Sequence, residues 1–118
     1  MQLLGSQKST MRYSGANGEF HSFPVMTNIR TVFWVIRKNG TDSNRFVLGY
    51  HPDNIYDFHS NGNNYFASFA AATNGQLKEN GAVVNNQSTA MPNNLSVLSL
   101  RSTSDLRANN FSNDRNYG

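Results

Sequence analysis

Apolar and polar residues along the chain form short runs rich in β-branched and aromatic side chains, bounded by Asn, Gly, Asp and Ser roughly every ten residues. No stretch of ten or more residues carries apolar side chains at i, i+3, i+4 and i+7, the pattern that an amphipathic helix needs. The spacing predicts an antiparallel sandwich or barrel. The strongest run, Thr31-Val32-Phe33-Trp34-Val35-Ile36-Arg37, has apolar residues at both parities, so the expectation is a central strand covered on each face, with Trp34 in the core. Further strands are expected at Arg45–Gly49, Ile55–His59, Tyr65–Ala70, Leu95–Leu100 and Leu106–Phe111, with Met11–Tyr13 and Glu19–Phe23 as an opening pair. In Ile55–His59, Tyr56 and Phe58 fall on one face, Asp57 and His59 on the other. Leu77–Glu79 and Ala82–Val84 flank Asn80-Gly81, a dipeptide suited to the positive φ angles of a two-residue type I′ hairpin turn.

Composition narrows the classes. The 118 residues make one domain over 1–118, with no internal repeat and no linker-like stretch. Charged residues are 14% of the chain, below the roughly 25% usual in soluble domains. The net charge of +3, ten Lys and Arg against seven Asp and Glu, comes from scattered cations (Arg12, Arg30, Arg37, Lys38, Arg45, Lys78, Arg101, Arg107 and Arg115 among them), of which only Arg37 and Lys38 are adjacent. Nucleic-acid binding needs cations clustered along one face, so it is not expected. The absence of cysteine removes disulfides, thiolate nucleophiles and cysteine metal sites. No apolar run approaches the ~18 residues of a membrane helix, so membrane insertion is not expected. Met1-Gln2-Leu3-Leu4-Gly5-Ser6 lacks the basic and apolar regions of a signal peptide. The other end, Phe111 to Gly118, stops in loop chemistry directly after an expected strand.

The order of these blocks carries a resemblance. Met11-Arg12-Tyr13-Ser14-Gly15-Ala16-Asn17 precedes the strand with Trp34. Phe46-Val47-Leu48-Gly49, Tyr56-Asp57-Phe58-His59, the Asn80-Gly81 hairpin, Leu95–Leu100 and Phe111-Ser112-Asn113-Asp114-Arg115 follow. From about 11 to 118 the chain resembles the laminin-G-like members of the concanavalin A-like lectin/glucanase superfamily, in particular bacterial domains of unassigned ligand. The resemblance implies an all-β fold, an antiparallel jelly-roll β-sandwich, used mostly to bind glycans or proteins outside the cell. Family members continue past the position of Gly118 with a Gly-rich loop and a further strand or two. The expectation is therefore a fragment lacking its final strands, from a longer secreted or cell-surface protein. Such a fragment leaves a sheet edge open to pairing with another chain.

Candidate chemistry is weighed on the same residues. Glycoside hydrolysis needs two carboxylates about 5–5.5 Å apart in a retaining enzyme. The only glutamates, Glu19 and Glu79, are far apart in the chain and no Glu-x-Asp-x-x-Glu pattern occurs, so no enzyme is expected. No Gly-x-Ser-x-Gly elbow positions a nucleophilic serine. His51, Asp53, Asp57 and His59 are metal-binding types, yet only Asp57 and His59 are expected to share a face, short of a ligand set. No cofactor is expected. Calcium, which some members of the superfamily hold, would draw on Asp53, Asn54, Asn113 and Asp114.

Sugar recognition needs an aromatic face beside amides and carboxylates that hydrogen-bond hydroxyls. Tyr50, Tyr65 and Tyr117 near amide-rich turns supply those ingredients. The expected ligand site comprises Tyr50, His51, Asp53, His59, Asn61, Asn63, Asn64 and Tyr65, on loops around 50–54 and 60–65, with 112–118 beside them. The functional expectation is a non-catalytic, lectin-like binding or adhesion module with a carbohydrate or protein partner. The alternative is a structural spacer or assembly domain of a bacterial surface protein or virion fibre.

Overall fold

A computed structural model of the chain describes residues 21–38, 48–50, 57–59, 65 and 69–111. Within them the chain is antiparallel β structure. The elements are β1 (His21–Ile36), a single helical turn α1 (Ala70–Thr73), β2 (Gln76–Glu79), β3 (Ala82–Val84) and β4 (Ser96–Phe111). They form one four-stranded sheet in the order β1-β4-β2-β3. Asn80 and Gly81 have φ of 50° and 87° and join β2 to β3, as the sequence predicts for a type I′ turn.

The middle of the sheet is built on the two-residue period of a strand. Val32 pairs with Leu100, Leu100 with Leu77, and Leu77 with Val84, so these four lie in one row on one face. Trp34, Leu98 and Glu79 make the next row of the same face. Leu77, Leu98 and Leu100 are fully buried there, and Trp34 is buried as expected of a core residue. Each fully buried side chain of this kind contributes about 1.5–3 kcal/mol. Trp34 meets Phe58 edge-on, with ring centroids 6.0 Å apart. Toward the other end of β4, Leu106 and Ala108 are buried in the same core as Ile29, Leu48 and Phe58.

The opposite face of the sheet is open among the described residues. Phe33 is 72% and Val35 63% exposed, so β1 is covered on one side and not on both as its composition suggests. The residue types could not distinguish the two cases, because both parities of 31–37 are apolar. β1 also stands at the end of the strand order, where Pro24, which has no N–H to donate, is tolerated.

Three further expectations are corrected. The segments 95–100 and 106–111 belong to one 16-residue strand. Its register with β1 shifts between Thr31↔Arg101 and Ile29↔Leu106, so that 102–105 bulge opposite Arg30. There the Ser102 hydroxyl lies 2.7 Å from the Ser104 carbonyl oxygen and 3.2 Å from that of Arg30. Local hydrogen bonds thus absorb polar residues that read as a turn. Ala70, the last residue of the expected strand Tyr65–Ala70, instead opens α1, since the Ala70-Ala71-Ala72 run favours a helical turn; 66–68 lie outside the described residues. Asn86 Nδ2 donates to the α1 carbonyl of Ala72 at 2.8 Å. Asp57 and Phe58 occupy a turn and both are buried, so the alternation expected over 55–59 does not hold there. Of the expected strand 45–49, Gly49 forms an isolated bridge with Asn110. The Met11–Tyr13 half of the opening pair lies outside the described residues.

Gly75 follows α1 where the chain crosses close to β4. A Cβ at this position would stand 2.6 Å from the Arg101 carbonyl oxygen, so only glycine fits.

The division of β4 into a buried and an open row predicts unequal costs for neighbouring substitutions. Leu98→Ala should lower the unfolding free energy by about 2–5 kcal/mol, whereas Val97→Thr should cost less than about 1 kcal/mol. Urea denaturation of the two variants checks this, and equal losses contradict it.

Candidate functional site

Of the residues expected at the ligand site, three lie within the described structure. Tyr50 is half-buried, directly after the Gly49 bridge to β4. The guanidinium of Arg107, from the far half of β4, sits 5.8 Å from the centre of its ring, within cation–π range. His59 is half-buried. Tyr65 is fully buried, and its hydroxyl donates to Glu79 Oε2 at 3.0 Å. Its ring face is therefore closed to a ligand, which corrects its reading as a stacking platform. A tyrosine between amide-rich turns looks exposed in sequence; here the ring is buried and Glu79, half-buried, accepts from its hydroxyl. His51, Asp53, Asn61, Asn63 and Asn64 lie outside the described residues, as do Tyr117, the 112–118 loop and the calcium donors Asn54, Asn113 and Asp114.

Asp57 links to Tyr50 through Arg107. Its Oδ2 accepts a hydrogen bond from the Arg107 backbone N–H at 2.6 Å and lies 3.6 Å from Arg107 Nε. Its Oδ1 is buried without a hydrogen-bond partner among the described residues. Burial pushes the carboxyl above the usual carboxylate range, against the opposing pull of the Arg107 N–H and guanidinium.

The other described acids are also engaged. Glu79 accepts from Tyr65 and, at 3.1 Å through Oε1, from the Ser96 hydroxyl. Burial, together with the hydrogen bond to Glu79 and its charge, raises the Tyr65 phenol well above its ordinary range. Asp105 pairs with Arg30 at 3.4 Å in the β4 bulge. Each described carboxylate thus has a protein partner, and among the described residues no three His, Asp or Glu side chains converge as a metal site requires.

The open face of the sheet is arranged differently. Across it, Phe33 on β1 pairs with Ser99 on β4, Ser99 with Lys78 on β2, and Lys78 with Val83 on β3. One row along, Thr31 pairs with Arg101 and Arg101 with Gln76. Ser99 is short, so β4 forms the floor of a trough between taller side chains. Two strand spacings separate its walls, about 10 Å. The trough encloses about 320 Å³ and is lined by Thr31 and Phe33 on one side, Gln76 and Lys78 on the other, and Ser99, Leu100 and Arg101 along β4.

Neither Lys78 nor Arg101 forms an ion pair among the described residues, and no acidic residue is among those that line the trough. An exposed phenyl face thus looks across a polar floor at an amide and an ammonium group.

None of the trough residues was expected at the ligand site. The signal was present in Val97-Ser99-Arg101 and Gln76-Lys78, which alternate with buried leucines beside the recognisable hairpin. Reading it required the strand pairing that places Phe33 opposite them.

The buried Asp57 generates a pH prediction. The folded chain holds its proton more tightly than the unfolded chain, so this group's contribution to stability declines as pH rises from 3.8 through the raised folded value. Asp57→Asn should remove that decline. Urea unfolding at about pH 4 and about pH 7 should show a more favourable change toward neutral pH in the variant than in the parent chain; identical pH dependence in both contradicts it.

No protein-family model, curated protein or solved structure matches the chain.

Proposed function

We propose that the chain is a non-catalytic, lectin-like binding module of a longer secreted or surface protein, and that it binds carbohydrate in the trough on the open face of its sheet. The architecture proposed with it is a jelly-roll sandwich. In that arrangement the Trp34–Leu98–Leu100 face looks into the sandwich and the Phe33–Ser99–Lys78 face is its outer, ligand-bearing side. The observation that carries the reading is Phe33, 72% exposed on one wall, with Gln76 and Lys78 two strands away and a serine between them.

A phenyl ring open to water offers the apolar face of a sugar ring a large contact area at little conformational cost. Thr31, Ser99 and Gln76 offer hydroxyl and amide groups to the ring hydroxyls. The volume of the trough sits at the low end of small-ligand sites, about 300–1,000 Å³. The described carboxylates support a binding rather than a catalytic role. Asp57, Glu79 and Asp105 are each tied to a neighbour away from the trough, so no acid–base pair for glycoside hydrolysis lines it among the described residues.

A second reading, an assembly or spacer domain, is favoured by Val35 and Val97. They are paired across β1 and β4 and are 63% and 51% exposed, an apolar strip another sheet could cover. The two readings differ in solution. A glycan array followed by titration calorimetry should find a saccharide whose affinity falls about tenfold or more in Phe33→Ala, the scale of a hot-spot side chain. The thermal midpoint should stay within a few degrees of the parent chain, because Phe33 is outside the core. The absence of any bound saccharide at millimolar concentration, combined with concentration-dependent association that Val97→Thr abolishes, supports assembly instead.

A further inference from the structure

We infer that the trough is selective for acidic sugars, with Arg101 and Lys78 as the residues that read the carboxylate; this rests on the carbohydrate-binding reading above and names the class of saccharide. Arg101 and Lys78 both line the trough, from adjacent strands and on the same face. Two other cations of the sheet are engaged by acids: Arg30 by Asp105 and Arg107 by Asp57. Lys78 and Arg101 have no such partner among the described residues, although Glu79 is next to Lys78 in sequence. The strand pleat sends Glu79 to the opposite face, where Tyr65 and Ser96 hold it. The result is two positive charges beside an aromatic wall, with no carboxylate among the described residues that line the trough.

That charge pattern also discriminates among occupants. A second copy of the chain, packed face to face, would bring these cations toward their counterparts at the cost of like-charge repulsion. An extended acidic peptide binds most readily at a strand edge, where backbone groups are free. Here the backbone groups of the β4 floor are taken up by ladders to β1 and β2, so recognition must run through side chains. A nucleic-acid strand requires successive aromatic platforms and a track of cations, and the trough has one phenyl and two cations.

A uronic acid meets the arrangement. Its ring carries an apolar face for Phe33 and hydroxyls for Thr31, Ser99 and Gln76. Its carboxylate is planar, as the guanidinium fork of Arg101 is, so the two can bond in a bidentate manner, and Lys78 adds a point charge.

The test uses the 118-residue chain and short oligomers of galacturonate, glucuronate and mannuronate, each alongside its fully methyl-esterified, uncharged form. An oligothymidylate and a glutamate peptide serve as polyanion controls. Calorimetry should give saturable binding of at least one uronate oligomer. Its affinity should drop about tenfold or more on esterification and in Arg101→Gln, and fall with added salt. Lys78→Gln should weaken it less than Arg101→Gln does. Phe33→Ala should weaken the acid and ester forms by the same factor. Amide resonances of Ser99 and its strand neighbours should shift on titration, which places the ligand in the trough without relying on a variant. Equal binding of ester and acid would overturn the acidic-sugar inference while leaving a carbohydrate site intact. Failure of all six oligomers would overturn the inference as well. Equal or tighter binding of the oligothymidylate or the glutamate peptide would overturn it together with the carbohydrate reading.

Discussion

β4 is the strand on which the rest of the sheet hangs, because it is hydrogen-bonded to β1 on one side and to β2 on the other. Its two-residue alternation fixes both neighbours. Ser96, Leu98 and Leu100 face the core, and Val97, Ser99 and Arg101 face out. A slip of one residue would bury Arg101 and expose Leu98 and Leu100, exchanging apolar burial for an unpaired buried charge. That penalty holds the register, and the register in turn sets Phe33 opposite Ser99 and Lys78. The same constraint that closes the core therefore assembles the open trough.

The polar groups divide along the same line. Buried ones are spent on structure: Asn86 caps the carbonyl end of α1, Ser96 bonds Glu79, Ser102 holds the bulge, and Asp57 binds the β4 backbone. Each satisfies a donor or acceptor that would otherwise be costly to bury. The trough keeps hydroxyl, amide and cationic groups without a carboxylate among the described residues that line it. A side chain already held by several protein partners has little left to offer a ligand. The uncommitted groups of the trough have their hydrogen-bonding capacity free, which is why the functional reading lies there rather than with Asp57 or Tyr65.

Features encoded locally were legible in the sequence. The Asn80-Gly81 turn follows from the φ angles those residues tolerate, the lack of any long helix from periodicity, and the buried Trp34 from its apolar neighbours. Features decided by pairing were not. Phe33 and Val32 are equally apolar, so only the pairing that sets Val32 beside buried Leu100 and Phe33 beside Ser99 reveals which is uncovered. Tyr65 reads as a surface aromatic because its partner, Glu79, comes from a different strand. The segment 95–111 reads as two strands because Ser102-Thr103-Ser104-Asp105 has turn composition, and contacts to Arg30 across the sheet make it a bulge. The candidate site was missed for a related reason, since its walls come from strands far apart in sequence.

The central claim is that the sheet buries one face and presents the other to water. The most direct measurement is paramagnetic relaxation of methyl resonances by an inert, soluble gadolinium chelate in the unmodified chain. The account predicts strong relaxation of the Val35 and Val97 methyls and near-complete protection of those of Leu98 and Leu100, neighbours along a single strand. Equal relaxation across these four residues, or protection of Val35 and Val97, would contradict it.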